Sequence, residues 1–70
     1  MIFKSVQPQE LKRGDRVVYL GHVETVSDVI PGGREGGCYA MFGSGEAAHF
    51  VESVTVVDET KTAALLSRYN

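Results

Sequence analysis

Three side chains in this sequence carry the thiol or imidazole chemistry that metal binding and nucleophilic catalysis draw on: Cys38, His22 and His49. A closed structural zinc centre takes four ligands, usually in closely spaced pairs, and no such set is present, so no metal and no cofactor are expected. A Cys–His couple would work only where folding brings the thiol within hydrogen-bond reach of an imidazole. Cys38 instead stands in an alternating stretch beside glycines, the ordinary setting of a small buried thiol. As the single cysteine it can form no internal disulfide, and a reducing, cytoplasmic environment is expected. The carboxylates are scattered. Asp58-Glu59 suits the start of a helix, where negative charge meets the helix dipole, better than acid–base work. No catalytic residue is assigned.

Binding chemistry is better represented. Tyr19 and Tyr39 fall on stretches where their rings face away from the obvious core residues, and half-buried tyrosines are common at interfaces. Arg34 is the lone cation of a glycine-rich loop over residues 32–37, answered at once by Glu35. That loop matches neither a P-loop nor a dinucleotide fingerprint, because it joins two strands rather than opening a helix. It is expected to be a flexible hairpin connection, with a ligand-gripping loop as the alternative. Tyr19, Arg34 and Tyr39 are therefore the expected contact residues for a ligand or partner, with His22 and His49 as secondary polar contributors. Phe42 and Phe50 flank the Gly43-Ser44-Gly45 turn and are read as core. Arg13-Gly14-Asp15 spells an adhesion tripeptide, but its position before a strand makes turn chemistry the better explanation.

These residues must be positioned by short strands. Alternation and β-branched content predict strands over 2–6, 16–20, 23–30, 38–42, 46–51 and 54–57, separated by glycine- and proline-marked turns. Pro8 opens a single helical turn. Gly14 tolerates positive φ, and Asp15 can bond its own local backbone. The valines at 23, 26 and 29 break strict alternation, which a β-bulge near Ser27-Asp28 would restore. From Thr60, a possible N-cap, a helix over 61–69 places Leu65 and Tyr69 on one face. Such a helix is marginal alone and must dock on the barrel, pack on a partner, or fray.

Seventy residues make one domain near the lower size limit for a self-sufficient core, so self-association would usefully bury more apolar surface. A charged fraction of 23% with net charge −2, both signs interspersed, argues against a protein built to grip phosphate backbones. No apolar run approaches the roughly 20 residues of a membrane span, and no secretory leader is read in the first residues.

Leu11-x-x-Gly14-Asp15-x-Val17 resembles the opening of Tudor-like and KOW-like barrels. The resemblance implies an all-β, small five-stranded SH3-like barrel over residues 1–58, with a C-terminal helix or tail over 59–70. Gly14-Asp15-Arg16-Val17, Ser53-Val54-Thr55-Val56-Val57 and Ala63-Ala64-Leu65 are also similar to segments of the plasmid-borne type II dihydrofolate reductase. That family's pore-lining glutamine and tyrosine are Thr55 and Val57 here, so the likeness implies the barrel and its assembly without the activity. Self-splicing Hint domains share the Leu-Lys-x-Gly-Asp-x-Val phrase but begin with a nucleophilic cysteine or serine that is absent here.

The leading expectation is a non-enzymatic binding module that self-associates and recognises a protein or small, nucleotide-like ligand, in the style of an accessory protein of a phage or mobile element. One alternative is a KOW-like nucleic-acid barrel with a basic stripe of Lys4, Lys12, Arg13, Arg16 and Arg34. The other is an oligomeric pore enzyme of the reductase kind, with Thr55 as its probe position.

Overall fold

The computed structural model describes residues 1–32 and 36–68. Six strands and one helix follow in order: β1 Phe3–Val6, a 3-10 turn Pro8–Glu10, β2 Arg16–Tyr19, β3 His22–Pro31, β4 Cys38–Phe42, β5 Ala47–Phe50, β6 Val54–Val57 and α1 Glu59–Ser67. They build one antiparallel sheet in the order β1-β6-β2-β3-β4-β5. Five strands in a closed barrel were expected; the sheet has six and is open. The sixth is β1, which pairs β6 along its whole length from Phe3↔Val57 to Val6↔Val54. That pairing puts β1 at one edge and leaves β5 at the other, and the two do not meet. The radius of gyration, 12.8 Å, exceeds the roughly 11 Å of a compact chain this long.

β3 is the organising strand. Its first half pairs β2, from Arg16↔Thr25 to Tyr19↔His22, and its second half pairs β4, from Val26↔Phe42 to Pro31↔Cys38. Between Val26 and Asp28 the register shifts, so Ser27 is the extra residue of the expected bulge. Its hydroxyl donates to the Met41 carbonyl oxygen at 3.1 Å. The bulge keeps both Val26 and Val29 on the core side despite their odd spacing.

β2 and β3 are joined by Leu20-Gly21 alone, both at positive φ (49° and 85°), the pattern of a type I′ hairpin turn. Glycine enters that region freely; leucine does not, and a strained position of this kind costs on the order of 1 kcal/mol. Leu20 is 74% exposed, so little packing offsets the strain. Leu20→Asn is expected to stabilise the fold by about 0.5–1 kcal/mol, because asparagine tolerates this backbone best after glycine. A urea midpoint unchanged or lower than that of the parent chain would contradict it.

The core lies on one face of the curved sheet. Leu11, Val17, Val26, Cys38, Ala40, Phe42, Val54 and Val56 form it, with Val6, Tyr19, Val29, Ala48 and Phe50 packed at its margin. Its largest fully buried side chains are only Val17, Val26 and Cys38. Bulkier residues sit outside: Phe3, Leu20, Ile30, Tyr39, Met41 and Leu66 are all exposed.

α1 is nine residues long, too short to persist unaided, and it docks on its own chain. Its N-cap is Asp58, two residues earlier than the threonine expected, with Oδ1 accepting from the Lys61 amide at 2.9 Å. The Ile2 carbonyl accepts from the Asp58 amide at 2.8 Å, and the Ile2 amide donates to Thr62 Oγ1 at 3.0 Å. Leu65 is half-buried beside Ile2, whereas the Tyr69 expected to share its face lies outside the described residues. No helix among the described residues is long and apolar enough to cross a membrane.

Candidate binding face

Alternation along β4 decides what each side of the sheet offers. Cys38, Ala40 and Phe42 point into the core, and Tyr39 and Met41 point out. Register extends this choice to the neighbouring strands. Ile30, Tyr39 and His49 lie in one row across β3, β4 and β5, and Asp28, Met41 and Ala47 lie in the next. Ile30, Tyr39 and Met41 are 50%, 44% and 43% exposed, so three large apolar side chains share one solvent-facing surface. Within it the Tyr39 and His49 rings stack, with centroids 4.4 Å apart and planes inclined by 17°.

The hydrogen-bond phase explains why that stack forms. The Phe42 amide donates to the Glu46 carbonyl at 2.8 Å, and bonded pairs recur at every second residue of an antiparallel ladder. Ala40↔Ala48 and Cys38↔Phe50 are then bonded pairs, and Tyr39↔His49 is a non-bonded pair. Side chains approach most closely in non-bonded pairs, which favours contact between two flat rings.

Of the other expected contact residues, Tyr19 is not free. Its ring is half-buried at the core margin, 5.2 Å from the Phe42 ring and edge-on to Phe50 at 6.2 Å. The reading of an outward Tyr19 is corrected: Tyr19 stands two residues from the fully buried Val17 on β2 and so shares its core-facing side. His22 is exposed and opens β3 opposite Tyr19. Seven residues of strand lie between it and Ile30, so it belongs to the far end of β3. Arg34 lies outside the described residues. The structure thus brings together Tyr39 and His49 and leaves Tyr19 and His22 elsewhere. Ile30 and Met41 escaped the sequence reading; their signal was the alternation of β4 carried through the bulge into β3.

Cys38 is buried and faces the core, on the opposite side of the sheet from His49, so the two form no couple. Burial pushes its thiol pKa up, away from a reactive thiolate. Among the described residues no group of three or more His, Cys, Asp or Glu side chains could hold a metal ion. The Asp15 turn behaves as expected: its carboxylate accepts from the Lys12 amide at 3.1 Å. Thr55, the position matching the reductase glutamine, is exposed on β6 opposite Ser5, while Val57 is buried.

Several of the basic residues are engaged by acids. Lys12 Nζ lies 3.4 Å from Asp15, Arg13 lies 3.8 Å from Asp28, and Arg16 makes a two-pronged contact with Glu59, each prong 2.8 Å. The Arg16–Glu59 pair ties β2 to the first turn of α1. The hydrogen bond from Arg16 holds the Glu59 carboxyl below its ordinary value of 4.5, with the charge of Arg16 adding to the effect and desolvation and Asp58 opposing it. A carboxyl depressed on folding contributes stability that is fully present above the unfolded value and is lost as pH falls through the lower folded one. α1 docking should therefore weaken as pH drops below 4.5. Glu59→Gln should flatten that part of the acid limb of a pH-dependent unfolding series. An acid limb identical in parent and variant would refute the assignment. Both partners are partly solvated, so high salt should erode the same contribution.

No family model matches the chain, and no curated protein or solved structure matches it.

Proposed function

We propose that this protein is a non-enzymatic, self-associating binding module of the small SH3-like barrel kind, which engages a partner protein through the outer face of β3, β4 and β5. The observation that carries this reading is where the large side chains are. A core filled chiefly by valine, with isoleucine, tyrosine and methionine gathered on one outward face, leaves an exposed apolar patch of the kind that is often functional. Tyrosine and methionine are enriched at protein interfaces, and a tyrosine held by a stacked neighbour loses less freedom on binding. Large half-exposed side chains standing out from a sheet face favour a protein as partner, since small ligands are held in concave sites that enclose most of their surface. The meander β2-β3-β4-β5, with β6 returning beside β2, supports the SH3-like reading. The carboxylates beside Arg13, Arg16 and Lys12 weigh against the nucleic-acid alternative.

The test is native mass spectrometry of the protein purified from its host, followed by the same sample denatured. A second chain should accompany the parent protein and be absent from a Tyr39→Ser/Met41→Ser variant of equal thermal stability. Loss of that partner only on substitution elsewhere, or a partner indifferent to Tyr39 and Met41, would remove the reading. A small adduct in place of a chain would move it to the ligand class.

A further inference from the structure

We infer that β5 is a pairing edge for a second copy of this chain, adding antiparallel to its twin about a two-fold axis at Ala48 and joining two Tyr39–His49 stacks into one face. The inference deepens the self-association within the proposed function and rests on it.

The main-chain phase set by Phe42 and Glu46 turns the amide and carbonyl groups of Ala48 and Phe50 toward β4. Those of Ala47 and His49 consequently point away from the sheet, where no further strand lies among the described residues. Strand edges are normally guarded by charge, by proline or by a bulge. β1, the other edge, carries Lys4 near its middle, with Pro8 two residues beyond its end. β5 has none of these: Ala47, Ala48, His49 and Phe50 include no carboxylate, lysine, arginine or proline, and their pairing with β4 runs without a bulge.

Charge also selects the register. The outward bonding groups within β5 are those of Ala47 and His49, and both are paired within the strand only when the two-fold axis lies at Ala48; the neighbouring register, centred on His49, pairs His49 alone. Centring on His49 sets Glu46 of each copy directly against Glu52 of the other, and like charges directly opposed are destabilising. Centring on Ala48 avoids that clash and pairs Ala47 of each copy with His49 of the other. The small alanine then leaves room beside the imidazole on the outer face.

The area argues in the same direction. Taking about 200 Å² for a side chain of this size, the half-exposed Ile30, Tyr39 and Met41 present on the order of 300 Å². One side of a standard protein interface covers roughly 800 Å². Edge pairing places two such faces side by side in one sheet, and only the joined face approaches that size.

The experiment is sedimentation velocity on the full chain at roughly 100 μM, with mass fixed by light scattering. The parent should run at twice its 7.6 kDa. Ala47→Pro removes the outward amide while leaving the β4 bonds intact, a position where an edge strand accepts proline. It should run as a monomer with an unchanged circular-dichroism spectrum. Ala47→Lys, which adds only charge to the edge, should do the same and carries the test if the proline variant does not fold. Tyr39→Ser should remain a dimer, because the pairing is made by backbone. A monomeric parent, or a dimer that survives both Ala47 variants, overturns the inference. A dimer lost with Tyr39→Ser but kept with Ala47→Lys also overturns it, showing face-to-face association and leaving the binding face itself in place.

Discussion

Gly37→Ala should remove most of the chain's net stability at 25 °C. A Cβ on Gly37 would overlap the Phe50 carbonyl oxygen and stand 2.9 Å from both the Phe50 carbonyl carbon and Val51 Cγ1. The obstacle is backbone, so no rotamer change relieves it. Phe50 pairs with Cys38 at the end of β5, and making room means pushing the edge strand off β4. Overpacking ordinarily costs about 1–3 kcal/mol, and a main-chain obstacle belongs at or above the top of that range. A core of this size supplies only about 3–5 kcal/mol of net stability. The measurement is urea unfolding followed by circular dichroism at 25 °C. A variant within about 1 kcal/mol of the parent would show that β5 yields easily, which a four-residue strand bonded on one side makes the point to watch.

The second large effect belongs to Phe42→Ala. Phe42 is 3% exposed and is the bulkiest side chain among the buried core residues. Its ring supports Tyr19, and Tyr19 in turn meets Phe50 edge-on, so one deletion unseats a three-ring cluster spanning β2, β4 and β5. Phenylalanine-to-alanine changes in cores cost about 3–5 kcal/mol, comparable with the whole net stability expected here. Met41→Ala, one residue earlier and facing outward, is the internal control and should cost less than about 1 kcal/mol. The contrast between adjacent positions is the informative result. Equal losses would mean that the outer face is packed in solution, which would itself locate the subunit contact.

Much of this architecture was legible in residue types, and the parts that were not share a cause. Period-two alternation located β4, and the misphased valines of β3 pointed to the bulge at Ser27, because strand pleat leaves no other way to bury both Val26 and Val29. The burial of Cys38 and the Asp15 turn followed from local chemistry in the same way. The helix start was misplaced by two residues because Asp58 and Thr60 are both competent caps. Only the Ile2 carbonyl, reached from the far end of the chain, favours Asp58. β1 was readable as a strand, but its partner and the open sheet that results depend on long-range pairing with β6. Tyr19 misled for a similar reason: apolar residues on both faces of β2 carry no local sign of which face the sheet will curve over. The stack of Tyr39 on His49 needed the register of β5, which rests on the length of a single turn.

The bulge at Ser27 also bears on how this gene tolerates change. Everything from Asp28 to Pro31 is in phase with β4 because the one spare residue is set aside at Ser27. Loss of that one codon would leave the reading frame intact and the remainder of β3 in phase, with Val26 still against Phe42, Asp28 against Met41, Val29 inward and Ile30 outward, because a ladder relieved of its spare residue alternates regularly. The apolar row on the outer face would keep its first member and the core its valines; what the shortened strand loses is the local bend and added twist of the bulge. Serine itself is dispensable there, since its one described bond is to a carbonyl at the surface. Among variants of this sequence, position 27 should therefore accept both substitution and deletion, whereas a deletion at Asp28, Val29 or Ile30 should be absent unless Ser27 takes the vacated place in the ladder. Drift in residue type and in length at one position, inside an otherwise fixed strand, is the mark that the spare residue leaves on the lineage.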